Sequence, residues 1–248
     1  MTELPGTPSD DVAGVLGTGD GGIGTLFVSM ATRHPDGSDA DYLRWHTLDH
    51  RPEQHRLTAL RASLRLVSTP ACRSVRAVSH DRFDPVDHVM TYFFTDPGGL
   101  TGFLELGKAL RNAGRIPTLL PPVKRGVYQV YAKASAPDVK VGADVLPWWP
   151  IRGVFLLLER GTAPAIGLLD VAGVAGVWSA SADSVDARSA DARPGQSITY
   201  CFLDDDPVDT ADRLRAVLSR RWRDAPVEPL LAAPFYPVVP HDWDRHIP

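Results

Sequence analysis

Along residues 23–134 the apolar pattern changes period in a fixed order, and that order returns after residue 150. Ile23 to Ala31 (IGTLFVSMA) is short, apolar and partly β-branched, as a strand requires. His34-Pro35-Asp36-Gly37 is a turn, and Ser38 or Asp39 can cap the helix that follows. That helix runs through Trp45 to about His50. Pro52 predicts a kink or restart there, because it has no N–H and its ring crowds the carbonyl four residues back. Leu60 to Thr69 alternates Leu60, Ala62, Leu64 and Leu66 against Arg61, Ser63 and Arg65, the period of a half-buried strand. Pro70 to Pro85 reads as an irregular charged loop or hairpin end, and Val86 to Thr95 as an apolar strand. Asp96-Pro97-Gly98-Gly99 turns into a helix over Leu100 to Asn112, with Gly114 in C-cap position. Arg125 to Ala134 is a fourth strand, so the order is β-α-β-β-α-β.

A polar, Pro-containing linker, residues 135–150, precedes the second pass. Arg152 to Arg160, Val171 to Ala182 and Gln196 to Leu203 read as strands, Asp209 to Arg223 as an Arg-rich amphipathic helix, and Val227 to Val239 as a strand interrupted by prolines. The order is the ferredoxin-like one. The expected fold class is therefore α+β, with two tandem ferredoxin-like repeats at 23–134 and 151–248 behind a loose leader, 1–22. Each repeat puts its helices on one sheet face and leaves the other bare, so two sheets in one chain can cover each other. The copies differ. Between its first two strands the second copy has only Gly161 to Asp170, room for about two helical turns.

Chemistry concentrates in Asp39 to Gln54 (DADYLRWHTLDHRPEQ). His46 and His50 lie four apart, one above the other on a helix. Leu43, Thr47, Gln54 and Leu57 make the stripe around His50 partly apolar, which turns it toward the sheet. A partly buried imidazole titrates near neutrality and can carry a proton, so His50 is the expected catalytic group, with His46 or Asp49 assisting. Tyr42 and Trp45 are expected to line a ligand cavity. On the third strand His88, Met90, Tyr92 and Phe94 share a face by alternation. Tyr92 can donate a hydrogen bond to a substrate carbonyl, and His88 is expected at the rim. No metal site is expected: His46-Thr-Leu-Asp-His50 lacks the glutamate of HExxH, and no downstream acidic ligand motif follows. GDGGIG (19–24) precedes a strand instead of following one, so it is not a phosphate-cradling loop. The terminal HDWDRHIP reads as a packing strap.

Tyr42, Trp45, His50 and Pro52 stand where the EthD-like group of the dimeric α/β-barrel superfamily shows an aromatic, Trp, His and Pro near the end of helix one. The first repeat resembles that group; the second resembles it only in topology. Arg51 between His50 and Pro52, and Ala62 where a Gly often opens strand two, depart from the pattern. The resemblance implies an intramolecular dimeric α/β-barrel holding a small, largely apolar ligand between sheet and helix. The superfamily includes cofactor-free monooxygenases of polyketide quinols, cyclases, aldol-type enzymes, lactone isomerases and haem enzymes. The expected function is a cofactor-independent, His-assisted proton-transfer enzyme acting on a small apolar carbonyl or phenolic, polyketide-like substrate. Its class would be cyclase, isomerase, lyase or quinol-type monooxygenase. Alternatives are a non-catalytic ligand-binding or stress-associated barrel, or a haem-dependent oxidoreductase. Tandem haem members carry their axial His in the second copy, whereas no His occurs here between Arg152 and Pro240.

Composition bounds the partners. The formal net charge is −4, so there is no basic field for nucleic acid or an anionic membrane. No apolar run reaches the roughly 18 residues of a membrane span. The N-terminus shows neither the cationic start nor the apolar core of an export signal. Cys72 and Cys201 are far apart and make no disulfide framework or zinc spacing. The expectation is a cytoplasmic protein binding a small organic ligand, either as a monomer that is its own partner or as a homodimer.

Overall fold

The computed structural model describes residues 22–117, 119–182 and 194–248. The expected leader falls almost wholly outside the described residues. The strands are β1 (Thr25–Ala31), β2 (Leu60–Val67), β3 (Val78–Ser79), β4 (His88–Phe94), β5 (Pro122–Ser135), β6 (Gly153–Arg160), β7 (Val174–Ala182), β8 (Gln196–Leu203) and β9 (Glu228–Pro237). They run in the spatial order β2-β4-β1-β5-β7-β8-β6-β9, and β2 meets β9 to close the ring. Each of these pairings is antiparallel. The result is an α+β fold built on an eight-stranded antiparallel barrel, with β3 added on β9.

The two seams between the halves are unequal. β5 pairs β1 up to Gln129 and pairs β7 from Gln129 to Ser135, across an irregularity between Val130 and Ala132. The other seam has only Leu66 opposite Pro237 and Val67 opposite Tyr236, with the Val238 N–H donating to the Arg65 carbonyl at 3.2 Å. The two sheets do not merely face each other. Their edges are hydrogen-bonded, which removes the exposed strand edges that a pair of open sheets would leave.

Alternation along the strands divides the core in three. Leu26, Val28, Phe93, Leu156, Trp178, Tyr200 and Phe235 belong to a single interior cluster. Outward residues of the second half, such as Phe155, Leu157 and Cys201, pack under Leu214 and Leu218 of helix α5 (Pro207–Asp224). Outward residues of the first half, Phe27, Met90, Tyr92 and Phe94, pack with Phe103 of helix α4 (Gly99–Asn112). α4 comes close because residue 99 is glycine: a Cβ there would lie 2.6 Å from the Ala59 Cβ. It stops where Gly114 takes a φ of 70°, its N–H bonding the Arg111 carbonyl and that of Arg115 the Leu110 carbonyl.

Two segments read as loop or linker hold structure. The Thr69 hydroxyl caps a short helix, Pro70–Ser74, by accepting from the Cys72 N–H, and β3 follows it. Residues 135–150 contain 3₁₀ turns at Pro137–Val139 and Ala143–Trp148. Leu146 enters the barrel interior fully buried, and the Trp178 indole donates to the Ala143 carbonyl at 2.8 Å. The segment is thus a plug. Its apolar residues fall on neither a helical nor a strand period, so the pattern read as a linker and did not reveal the plug. The terminal strap lies against β9, with His246 stacked on Tyr236 at 4.1 Å. No helix among the described residues is long and apolar enough to cross a membrane.

Candidate active site

The helix over the first half runs in three pieces. Helix α1 (Asp39–Trp45) is followed by a π turn, His46–His50, and then by helix α2 (Arg51–Gln54). The Arg51 N–H reaches the His46 carbonyl five residues back. Pro52 was expected to kink or restart the helix. It has no N–H for the Leu48 carbonyl, and the chain takes up the mismatch as a widened turn. Neither Ser38 nor Asp39 caps α1 with its side chain. The buried Asp39 carboxylate instead accepts from the His34 N–H and from His88 Nε2, both at 2.8 Å. Burial alone would raise that carboxyl. The His88 and His34 bonds, with the charges of His88 and Arg33, outweigh it and hold the group below the usual carboxylate range. Burial lowers His88 despite the same bond. The pair is therefore a neutral imidazole donating to an ionised carboxylate.

A cavity of about 390 Å³ opens between this helix, α4 and the outward face of the sheet. Its walls are Phe27, Trp45, Met90, Tyr92, Phe103 and Tyr42, and its polar floor is His46, His50, Gln54 and Arg65. His46 is 2% exposed and its Nε2 lies 3.2 Å from the Tyr92 hydroxyl. Burial, then the charge of Arg65, lowers His46 well below the ordinary imidazole value. Burial raises the Tyr92 phenol, so it stays protonated. His50 stacks on Trp45 with centroids 5.0 Å apart, and the Gln54 amide donates to its Nε2 at 2.9 Å. That bond places the His50 proton on Nδ1. Burial pushes His50 down to about 4, with Asp49 opposing and Arg65 and Arg115 assisting. The expectation of a titration near neutrality is corrected: both imidazoles are neutral at pH 7, because the helix roof removes more water than helical spacing reveals.

The structure brings His46, His50, Tyr42, Trp45 and Tyr92 to one cavity, and leaves out two residues assigned to it. Asp49 does not meet an imidazole; it pairs with Arg115 at 3.0 Å, as does Glu53, tying the helix to the segment after α4. His88 is not at the rim but fully buried behind Tyr42, their ring centroids 6.3 Å apart. Asp39, forty-nine positions away, draws it in. Arg65 was missed. It is 5% exposed, its Nη2 donates to the Tyr42 hydroxyl at 3.0 Å, and its guanidinium carbon sits 5.2 Å from the Tyr42 ring centre. The antiparallel register sets Arg65 beside Met90, a residue already placed on the outward face. That neighbour was the available signal.

Four buried side-chain atoms of cavity-lining residues have no partner: His46 Nδ1, His50 Nδ1, Gln54 Oε1 and Arg65 Nε. Structural cores rarely leave such groups unpaired, so the cluster points to a ligand. Among the described residues no group of three His, Cys, Asp or Glu side chains converges as a metal site would require. Haem fits these residues poorly. The second half offers no His up to Pro240. In the first, His46 Nε2 is held by Tyr92 and His50 Nε2 by Gln54.

No protein-family model matches the sequence. No curated protein matches it either. Solved structures similar in fold include an anthrone oxidase-like protein, 11% identical with a TM-score of 0.46, over 88% of this chain and 92% of that one. A candidate monooxygenase from Lactobacillus acidophilus NCFM is 9% identical with a TM-score of 0.41, over 87% of this chain and 94% of that one. A candidate chlorite dismutase is 10% identical with a TM-score of 0.47, over 89% and 97%. At that identity and score the likenesses decide nothing about chemistry. What fold and cavity together define is an α+β antiparallel barrel with one aromatic, imidazole-bearing pocket on its first half.

Proposed function

We propose that this chain is a cofactor-independent enzyme that moves a proton on a small, flat carbonyl or phenolic substrate. The carrying observation is the pair of neutral imidazoles, His46 and His50, at an aromatic cavity where a protonated Tyr92 bonds one of them. Cyclase, isomerase, lyase and quinol-type monooxygenase reactions all begin by taking a proton from a substrate C–H or O–H. His50 lines the cavity in its base form and is the acceptor through Nε2: the Gln54 amide turns to release that nitrogen, and its otherwise unpartnered Oε1 then accepts from the new N–H. The Tyr92 hydroxyl hydrogen-bonds the substrate oxygen as charge develops on it, and His46 holds that hydroxyl in place. Trp45 and Tyr42 stack on the ring.

We read the halves, residues 23–134 and 151–248, as two copies of one ferredoxin-like unit, the first EthD-like. The spatial orders β2-β4-β1-β5 and β7-β8-β6-β9 support this, since each runs second, third, first, fourth by position in its half. A ring closed within one chain supports the monomer as the working unit. Two free, buried cysteines suit a reducing cytoplasm.

The test is turnover of hydroxyaromatic and β-dicarbonyl compounds, followed by absorbance and oxygen consumption, for wild type and His50→Ala. A loss of about a hundredfold or more is expected. A folded variant with unchanged turnover discards the assignment. A low-pKa imidazole is also what a purely binding pocket would hold, and a ligand that leaves the denatured protein chemically unaltered would favour that reading. A Soret band on adding haem would favour the haem enzyme.

A further inference from the structure

The walls of the cavity are apolar and aromatic, but its charge has one sign. Arg65, Lys108, Arg111 and Arg125 line it, and no carboxylate does. The last three are exposed at the mouth. Arg65 lies on the floor, and its Nε is buried with nothing to donate to. Among the described residues its one hydrogen-bond acceptor is the Tyr42 hydroxyl, a neutral group. A guanidinium out of water is costly to hold unless an anion meets it, and its planar fork suits a carboxylate or another oxyanion. The neighbouring Arg51 is also partly buried, and it adds to the positive field felt by His46. The positive field of Arg65 further disfavours the protonated forms of His46 and His50.

We infer that the substrate is an anion: a flat apolar ring carrying one oxyanion that docks on Arg65, drawn in by Lys108, Arg111 and Arg125. This rests on reading the cavity as the working site, and it narrows the substrate from any apolar carbonyl or phenol to a ring acid or an ionised phenol or enol. It also completes the electrostatics. A negative group beside Arg65 offsets the charge that depresses His50, so the substrate itself makes the imidazole a better base.

The experiment is isothermal titration of the full chain with 2-naphthoate, 2-naphthamide and 2-naphthol at pH 7, with the absorbance of the naphthol recorded on binding. Wild type is expected to bind naphthoate about tenfold or more tighter than the neutral amide of the same shape. Arg65→Met should bring the two within about twofold, and Arg65→Lys should fall between, keeping the charge but not the fork. Equal binding of acid and amide by wild type overturns the inference. So does naphthoate binding too weak to detect at about 1 mM, or an unchanged preference in a folded Arg65→Met. Naphthol tells the sources apart. The red-shifted naphtholate absorbance on binding identifies an ionised phenol as the preferred form, whether its proton leaves or stays on His50; the neutral naphthol spectrum leaves the ring acid. A charge preference without turnover would retain the anion site and remove the proton-transfer reading, so the two fail separately.

Discussion

Each half of the barrel buries an arginine against its outward face, and the two are treated in opposite ways. In the second half Arg221 of α5 meets Glu159 of β6 through Nε at 3.0 Å and Nη2 at 2.7 Å. The Trp222 indole donates to the same carboxylate, and the carbonyls of Pro164 and Ala163 accept from Arg221. In the first half Arg65 has a phenol and an unsatisfied Nε. Among the described residues, the buried polar side-chain atoms without partners all lie at or before Gln129. A buried charge whose donors are answered within the chain is structure. One whose donors point into a cavity awaits something from outside.

Glu159→Ala is the substitution with the largest expected effect. It strands Arg221, which is 9% exposed at the side chain, and removal of one partner from a buried pair costs about 3–5 kcal/mol. Urea denaturation reads it. A loss below about 1 kcal/mol would mean that Arg221 is as independent of its carboxylate as Arg65 is of any, and the contrast would collapse.

Tyr92→Phe comes next and tests the other half. The ring and its packing on Phe103, 4.7 Å between centroids, are kept, and only the hydroxyl facing His46 goes. Turnover should fall by about a hundredfold while stability changes by about 1 kcal/mol or less. Steady-state kinetics beside thermal melts would show it. A large loss of stability with intact turnover would make the phenol a core group like Tyr200, whose hydroxyl lies 2.5 Å from Thr91 inside the barrel.

Acid should destabilise the first half more than the second. His50 titrates near 4 in the folded chain against 6.5 when unfolded, so above pH 6.5 neither state holds its proton and the group is silent. As pH falls from 6.5 to 4 the unfolded chain takes the proton first and stability drops. Below 4 the loss is complete. For a half-exposed group the loss is about 1–2 kcal/mol. His46 and His88 are lowered too and add in the same direction. Asp39, lowered instead, withdraws its contribution at still lower pH. Urea midpoints of wild type and His50→Gln at pH 7 and 4.5 should differ in slope; parallel curves would place His50 in bulk water.

How much of this was readable beforehand follows from what each residue contacts. The strands declared themselves as short apolar runs, Leu60–Thr69 by period two, and His50, Trp45 and Tyr42 by helical spacing beside the sheet. Arg65 did not, because alternation says only that it opposes Leu64 and Leu66, not that a helix roofs its face. His88 and Asp49 were misplaced because their partners, Asp39 and Arg115, are fixed by folding over forty-nine and sixty-six positions. Leu146 plugs the barrel from a stretch without pattern.

Arg65→Met sharpens the first comparison from its weak side. Replacing an unpaired buried charge by an unbranched apolar chain should leave stability within about 1 kcal/mol or raise it, the reverse of Glu159→Ala. Thermal melts of the two variants side by side settle the sign.

The smallest expected change in stability is at Pro52, and it bears on why only the first half carries a π turn. Its second-half counterpart is a 3₁₀ turn, Ile166–Asp170, with no ring to position. In Pro52→Ala the new N–H can bond the Leu48 carbonyl, which favours a regular helix. The unfolded chain gains freedom that the pyrrolidine denied it, which opposes the gain. These nearly cancel, so unfolding should shift by about 0.5 kcal/mol or less. The site should not be so indifferent. Tightening the turn rotates His50 relative to His46, whose rings now lie 5.6 Å apart, and moves it off Trp45. Reduced turnover or ligand affinity at unchanged stability would show that the proline is there to aim an imidazole. Unchanged values in both would make the widened turn an accident of packing.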